Sequence, residues 1–207
     1  MNKKLFVTGI GTGIGKTIVS AILTEALQAD YWKPVQSGDL DRSDSELVKS
    51  LTSENIIIHQ ERYQLQLAAS PHQSAKKENI EIKLTDFSLP VTSNHLIVEG
   101  AGGLFVPLNE KDFMLDVIQH LNLPAVVVST NYLGCINHTL LTIEALKNRG
   151  ILIDLFVFNG EFDEDTHQII LKHLPEDIEK IYLPKIDLLT KENLQKIAVT
   201  IRKKYIQ

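Results

Sequence analysis

Leu5-Phe6-Val7-Thr8-Gly9-Ile10-Gly11-Thr12-Gly13-Ile14-Gly15-Lys16-Thr17-Ile18 passes from an apolar, β-branched run through four glycines into a segment of helical spacing. Strand, glycine loop and helix in that order form a cradle for phosphate. Glycines let backbone N–H groups turn inward around phosphate oxygens, and a helix N-terminus adds partial positive charge. Gly13, Ile14, Gly15, Lys16, Thr17 and Ile18 are therefore the expected nucleotide-binding residues, with ATP as the expected ligand. Lys16 would reach the β- and γ-phosphates, and the Thr17 hydroxyl would coordinate Mg²⁺. The strict pattern G-x-x-x-x-G-K-[ST] would start at position 10, which is Ile10; a glycine stands one residue earlier, at Gly9. The dinucleotide pattern G-x-G-x-x-G fails in both registers, since its third glycine falls on Ile14 or on Lys16. A glycine-rich turn without function is the plain alternative.

Working outward, further apolar runs occur at Leu96-Ile97-Val98, at Ala125-Val126-Val127-Val128 and from Leu152 to Phe158. They mostly lack polar alternation, as strands covered on both faces of a parallel sheet do. Helical spacing lies between them. Ile18, Ile22, Leu23, Ala26 and Leu27 make one apolar face; Leu115, Ile118 and Leu121 make another; Leu140, Leu141, Ile143, Glu144 and Leu146 lie in a third helix. A last helix starts near Thr190, an N-cap before Lys191 and Glu192. The expectation is an α/β fold: one doubly wound, mostly parallel sheet with helices on both faces, of the P-loop NTPase type, and a single domain over 1–207. Ligands then belong at the C-terminal ends of the strands. Residues 53–94 read as loop and short helix beside the site.

Composition narrows the function. The net charge of −5 gives no positive field for nucleic acid or anionic membrane, and Arg202, Lys203 and Lys204 read as the frayed end of a helix. Cys135 is the single cysteine, which excludes an intrachain disulfide and a cysteine-rich zinc site. The apolar run at the start is too short for a signal peptide, and no stretch approaches the roughly 20 residues needed to span a bilayer, so a cytoplasmic location is expected.

Other residues could complete the site. Lys33-Pro34-Val35-Gln36-Ser37-Gly38 follows Tyr31-Trp32, a candidate second strand, and could place a cation and a hydroxyl beside the γ-phosphate; on its own it reads equally as a surface loop. Asp44 is a candidate metal carboxylate, although an isolated acid there more often caps a helix. Glu99 ends a buried strand and precedes Gly100-Ala101-Gly102-Gly103, a position suited to holding Mg²⁺; a plain strand-to-turn transition is the alternative. Cys135 lacks a thiolate-activating pattern and reads as a packing residue, and His138 as a loop anchor.

Taken together, these segments resemble the dethiobiotin synthetase family. The phosphate loop, Lys33 to Gly38, Val98 to Gly103 and Leu133-Gly134-Cys135-Ile136-Asn137-His138-Thr139 carry the resemblance, supported by Asp44 and by Asn159 after Leu155 to Phe158. The resemblance implies an ATP-dependent ligase that joins CO₂ (or bicarbonate) to 7,8-diaminononanoate. A carbamate would attack the γ-phosphate to give a carbamic–phosphoric anhydride, and the second amine would then close the ring. It further implies Lys33, Lys16 and Thr12 as catalytic residues, with Thr17, Asp44 and Glu99 holding Mg²⁺. Nucleotide contacts would include Gly100, Ala101 and Gly102. Adenine would be read by Asn159 and Gly160 with Leu183, Pro184 and Lys185. Substrate would touch Ser37 and the turn Gly134, Cys135, Ile136 and Asn137, the latter from the partner subunit of a homodimer. Many relatives carry acids at positions 11 and 13, which are glycines here, and the region after Pro184 is short; both features bear on nucleotide recognition. The competing readings are a P-loop ATPase that partitions or inserts cargo, and a nucleotide-sensing module.

Overall fold

The computed structural model describes residues 2–205. In chain order the elements are β1 (Lys4–Gly9), α1 (Lys16–Leu27), β2 (Asp30–Trp32), β3 (Val35–Ser37), α2 (Asp44–Leu51), β4 (Ile58–His59), β5 (Tyr63–Leu65) and α3 (Pro71–Lys77). They continue with β6 (Leu96–Glu99), α4 (Met114–Leu121), β7 (Ala125–Thr130), α5 (Cys135–Asn148), β8 (Ile153–Asn159), α6 (Glu164–His173), β9 (Glu179–Leu183) and α7 (Lys191–Tyr205).

Among the described residues, seven strands form one sheet in the order β4-β2-β6-β1-β7-β8-β9, and β3 pairs with β5 in a second sheet. Every pairing in the large sheet is parallel. The chain winds outward in both directions from β1, so a crevice opens at its C-terminal end. The phosphate loop leaves β1 there. Apolar side chains on both faces explain the uninterrupted strand sequences. Leu5, Val7, Ile97, Val126, Leu155 and Val157 pack toward α1, α2 and α7, whereas Phe6, Val98, Val127 and Phe156 pack toward α4, α5 and α6. No helix among the described residues is long and apolar enough to cross a membrane.

Three details depart from the sequence expectation. α1 is buried almost all round rather than along one face, because α2 and α7 cover the side turned from the sheet. Arg202 does not belong to a frayed end: it donates to the carbonyls of Ala26 (2.7 Å) and Glu25 (3.0 Å), satisfying the C-terminus of α1. Residues 53–94 contain β4, β5, α3 and a 3₁₀ turn at Leu84–Asp86, so strand content was missed there. The expected cap of α7 is present, with the Thr190 hydroxyl accepting from the Asn193 amide at 3.2 Å.

At the opposite end from the crevice, Asp30 clasps the start of β2. Its carboxylate, 1% exposed, accepts from Thr92 Oγ1 (2.5 Å) and Asn94 Nδ2 (3.0 Å), and His59 Nε2 lies at 3.3 Å. Burial pushes the carboxyl pKa upward, but these partners outweigh it and hold the group below its ordinary value. Asp30→Ala is expected to lower stability by about 1–3 kcal/mol at neutral pH. A depressed carboxyl pKa contributes stability above the unfolded value of about 4, and that contribution is lost as pH falls through the folded value. Urea titrations at pH 7 and pH 3 test this, with the gap between parent and variant closing on acidification.

Candidate active site

The phosphate loop is fixed by its own backbone and by neighbouring strands. The Ile10 amide donates to the Val128 carbonyl at 3.1 Å, the Ile14 side chain is buried, and Asn159 Nδ2 donates to the Ile14 carbonyl at 2.9 Å. Gly15 has φ 90° and sits so close to Asn159 that a Cβ would collide with its amide nitrogen. Only glycine meets both demands. Gly13 and Thr12 are exposed at the loop's tip, and Ile18 is half-buried in the first turn of α1. Gly102, at φ 61°, brings the loop after β6 against this tip, where a Cβ would lie 3.3 Å from Thr12 Oγ1 and 2.6 Å from Val106 Cγ2. Gly100 and Ala101 lead into that approach, with the Gly100 amide donating to the Val7 carbonyl at 3.0 Å.

Lys16 curls back so that Nζ donates to the Gly11 carbonyl at 2.8 Å. Burial lowers its pKa to about 8, with Glu99 opposing the shift and Lys33 adding to it. Among the described residues no carboxylate pairs with this ammonium, so an incoming phosphate would supply a counter-charge.

Lys33 is placed differently. Its ammonium, 4% exposed, lies 2.5 Å from Asp44 Oδ2 and 3.2 Å from Glu99 Oε1. Burial pulls its pKa down, but Glu99 and Asp44 more than offset that and raise it above the ordinary lysine value. Asp44 answers in kind: burial raises its pKa, and Lys33 and Thr17 together bring it below normal. The Thr17 hydroxyl lies 2.8 Å from Asp44 Oδ1 and 2.9 Å from Glu99 Oε1. One hydroxyl proton serves one of those oxygens at a time. Two carboxylates and a hydroxyl thus converge as hard oxygen donors, the chemistry suited to Mg²⁺. Among the described residues no group of three or more His, Cys, Asp or Glu could hold a metal, so a cation here would take its remaining ligands from phosphate oxygens and water.

Asp44 is the first residue of α2 rather than its cap; the Ser43 hydroxyl accepts from the Glu46 amide at 3.2 Å. Two partners in the cluster escaped the sequence reading. The Tyr31 hydroxyl donates to Glu99 Oε2 at 2.8 Å, and burial together with the Glu99 charge holds its pKa well above the phenol range. Gln36 Nε2 donates to the Gly38 carbonyl at 2.9 Å while its Oε1 accepts from the Asp44 amide at 3.4 Å. The available signal for Tyr31 was its spacing of two from Lys33, which puts both on one side of an extended segment.

The other expected residues lie on β3, on the ends of β8 and β9, and at the start of α5. Ser37 Oγ is buried and has no hydrogen-bond partner among the described residues, a state it shares with four other hydroxyls. Asn159 ends β8 opposite Leu183 of β9, and the Gly160 amide donates to the Leu183 carbonyl at 3.0 Å. Pro184 and Lys185 are exposed beyond. With Nδ2 engaged by the loop, Asn159 has Oδ1 left to accept from a purine amino group. Gly134, at φ 102°, opens α5, where Ile136 and Asn137 present first-turn amides. Among the described residues no hydrogen bond or ion pair joins that turn to the Lys33 cluster. Cys135 is buried, its thiol 3.7 Å from Asn131 Oδ1, and His138 Nδ1 lies 2.7 Å from the Tyr132 hydroxyl; both read as structural.

Comparison with known proteins gives the chain a family. A family described as an AAA domain matches residues 3–193. The ATP-dependent dethiobiotin synthetase of Cytophaga hutchinsonii is 48% identical over 96% of this chain and 97% of that protein. The enzyme of the same name from Brucella ovis is 45% identical over 94% and 92%. The chain belongs to the dethiobiotin synthetase family. Solved structures extend the fold more widely than the family. A ParA family ATPase from Chlorobium tepidum superposes with TM-score 0.55 at 14% identity, covering 100% of this chain and 94% of its own. A plasmid partition protein from Borrelia burgdorferi gives 0.56 at 11% identity, with coverage of 97% and 99%. These likenesses confirm the doubly wound P-loop architecture.

Lys16 yields a test free of ligand. Its folded pKa near 8, against 10.5 for an unperturbed lysine, means that the unfolded chain holds this proton more tightly, which weakens the fold. The difference sets a ceiling of about 3 kcal/mol. Lys16→Met is expected to be more stable than the parent by about 1–3 kcal/mol at pH 7. That advantage should persist below about pH 8 and fade as pH rises toward 10.5. Thermal denaturation across this range is the measurement; a less stable variant at pH 7 would contradict the assignment.

Proposed function

We propose that this chain, acting as one synthetase domain over residues 1–207, converts 7,8-diaminononanoate, CO₂ and ATP to dethiobiotin, ADP and phosphate. The observation that carries the reading is Lys33, clamped between Asp44 and Glu99 and adjoining Thr17. A permanently charged ammonium stands where anionic groups would have to converge, and family membership names the reaction.

One amine of the substrate takes up CO₂ and loses a proton, giving a carbamate. A carbamate oxygen then attacks the γ-phosphorus as the bond to ADP breaks, forming the carbamic–phosphoric anhydride. The second amine attacks the carbonyl carbon, phosphate leaves with the bonding electron pair, and loss of a proton completes the ureido ring. Each step gathers negative charge, so preorganised cations and N–H donors supply the largest benefit. Lys16 and the amides of Gly13 to Ile18 bind the phosphates, and Lys33 neutralises charge where carbamate and γ-phosphoryl meet. Thr12, exposed at the tip, donates to the transferring oxygens. Gly100, Ala101 and Gly102 bring backbone close to the nucleotide. Asn159, Gly160, Leu183, Pro184 and Lys185 line the adenine. Thr17, Asp44 and Glu99 would hold Mg²⁺, which when bound neutralises phosphate oxygens.

Ser37, with its unpaired buried hydroxyl, orients the diamine. The turn of Gly134, Cys135, Ile136 and Asn137 receives the substrate carboxylate, a ligand that a helix N-terminus favours, through amides other than that of Cys135, which donates to the Tyr132 carbonyl at 2.9 Å. The family resemblance implies a homodimer in which a second copy supplies that turn. A cytoplasmic enzyme without nucleic-acid partners fits the net charge of −5. The partitioning and nucleotide-sensing alternatives have the shared fold behind them and nothing further.

With diaminononanoate, bicarbonate, Mg²⁺ and ATP supplied, phosphate release should depend on the diamine; ATP turnover indifferent to it would refute the assignment. Lys33→Ala is expected to lose product formation by about 10²–10³-fold while retaining nucleotide binding by calorimetry. Undiminished ring closure in that variant would remove Lys33 from its role.

A further inference from the structure

We infer that Tyr31 is a positioning residue that commits Glu99 to the nucleotide-bound cation through one chosen oxygen. The inference rests on the proposed role of Glu99 in holding Mg²⁺. Tyr31 is fully buried in the middle of β2, opposite Ile97 of β6. Glu99 lies two residues beyond Ile97, so both side chains emerge on the same face of the sheet. Trp32 packs on the other face and cannot reach the carboxylate.

The two carboxylate oxygens are thereby given separate tasks. Oε2 accepts from the Tyr31 hydroxyl at 2.8 Å. Oε1 meets Thr17 Oγ1 at 2.9 Å and Lys33 Nζ at 3.2 Å. A glutamate's last torsion is broad, so an unsupported carboxylate would rotate among orientations. The tyrosine bond fixes that torsion from behind and leaves Oε1 pointing into the donor group. Supporting hydrogen bonds of this kind orient metal-binding carboxylates, and their loss costs about 10–100-fold in metal affinity or activity.

Tyr31→Phe removes the hydroxyl and keeps the ring in its packing, and Tyr31→Leu, likewise without a donor, serves as a second variant. ADP binding is measured by calorimetry with Mg²⁺ and with EDTA, alongside thermal denaturation. Parent and variants should bind ADP alike in EDTA, within about twofold, while the affinity gained on adding Mg²⁺ falls by about tenfold or more in the variants. Product formation should show the matching pattern, with the Mg²⁺ concentration for half-maximal rate raised and the KM for the diamine unchanged. In a Glu99→Gln background Tyr31→Phe should have little further effect on the Mg²⁺ gain, because its route is gone. An unchanged Mg²⁺ gain, or an equal loss with and without Glu99, would overturn the positioning role. A parent that binds no ADP would overturn the nucleotide site itself and the inference with it. A parent that binds normally beside an unaffected variant would sink Tyr31 alone.

Discussion

A lysine ammonium enclosed between two carboxylates is the constraint around which the functional end of this molecule is arranged. Lys33, Asp44 and Glu99 come from three places: just after β2, the first turn of α2 and the end of β6. Removing Lys33 would leave two neighbouring carboxylates without their counter-charge. The backbone must therefore deliver all three to the same few ångströms. Lys16 follows the opposite logic. It is buried without an ion-pair partner among the described residues, and its pKa falls to about 8. One lysine is neutralised by the chain and the other is left for a ligand. Two adjacent cations of the same type thus have different duties, set by their surroundings alone.

The fold meets this constraint through the way the chain leaves β2. Pro34 lacks an amide proton and cannot extend the parallel ladder, so the chain departs from the large sheet directly after Lys33. Its carbonyl accepts from the amides of Arg62 and Tyr63, each at 3.0 Å, which starts the small β3–β5 sheet. That sheet carries Gln36 and Ser37 along the side of the crevice. Gln36 then bridges the turn to the Asp44 amide and so helps fix the start of α2. On the other side of β1, Asn159 holds the phosphate loop from the end of β8. The loop is thus anchored from both directions of the winding, consistent with a site at the strand-order switch.

Much of this was legible in the sequence because the relevant signals are local. Apolar runs without alternation marked β1, β6, β7 and β8. Glycine spacing before Lys16 marked the phosphate loop, and an acid ending a buried run marked Glu99. Among the strands of two or three residues, β2 was anticipated at Tyr31-Trp32, whereas β3, β4 and β5 left no comparable trace. β4 and β5 exist because neighbours at β2 and β3 offer hydrogen bonds, a tertiary cause that short windows do not contain. The same holds for Arg202, whose charge pattern suggested a free end while its partners lie 176 and 177 residues away. Tyr31 was hidden for a related reason. A tyrosine in a strand ordinarily reads as packing, and its bond to Glu99 spans 68 residues.

The difference between fold and site explains why the partition ATPases, at 11% and 14% identity, share the architecture without sharing the assignment. A doubly wound sheet needs apolar strands, crossover helices and a glycine turn, and many sequences satisfy those demands. It does not need a buried ammonium between two acids. Replacing such a triad with apolar residues of similar volume leaves stability equal or improved in many proteins. A chain that retains Lys33, Asp44 and Glu99 in contact, supports the last with a buried tyrosine, and leaves Lys16 unpaired beside them accepts a fold less stable than it could have. Stability alone gives no reason for that arrangement. An anionic ligand would give the lysine its counter-charge, and a cation bound with that ligand would give the crowded oxygens theirs.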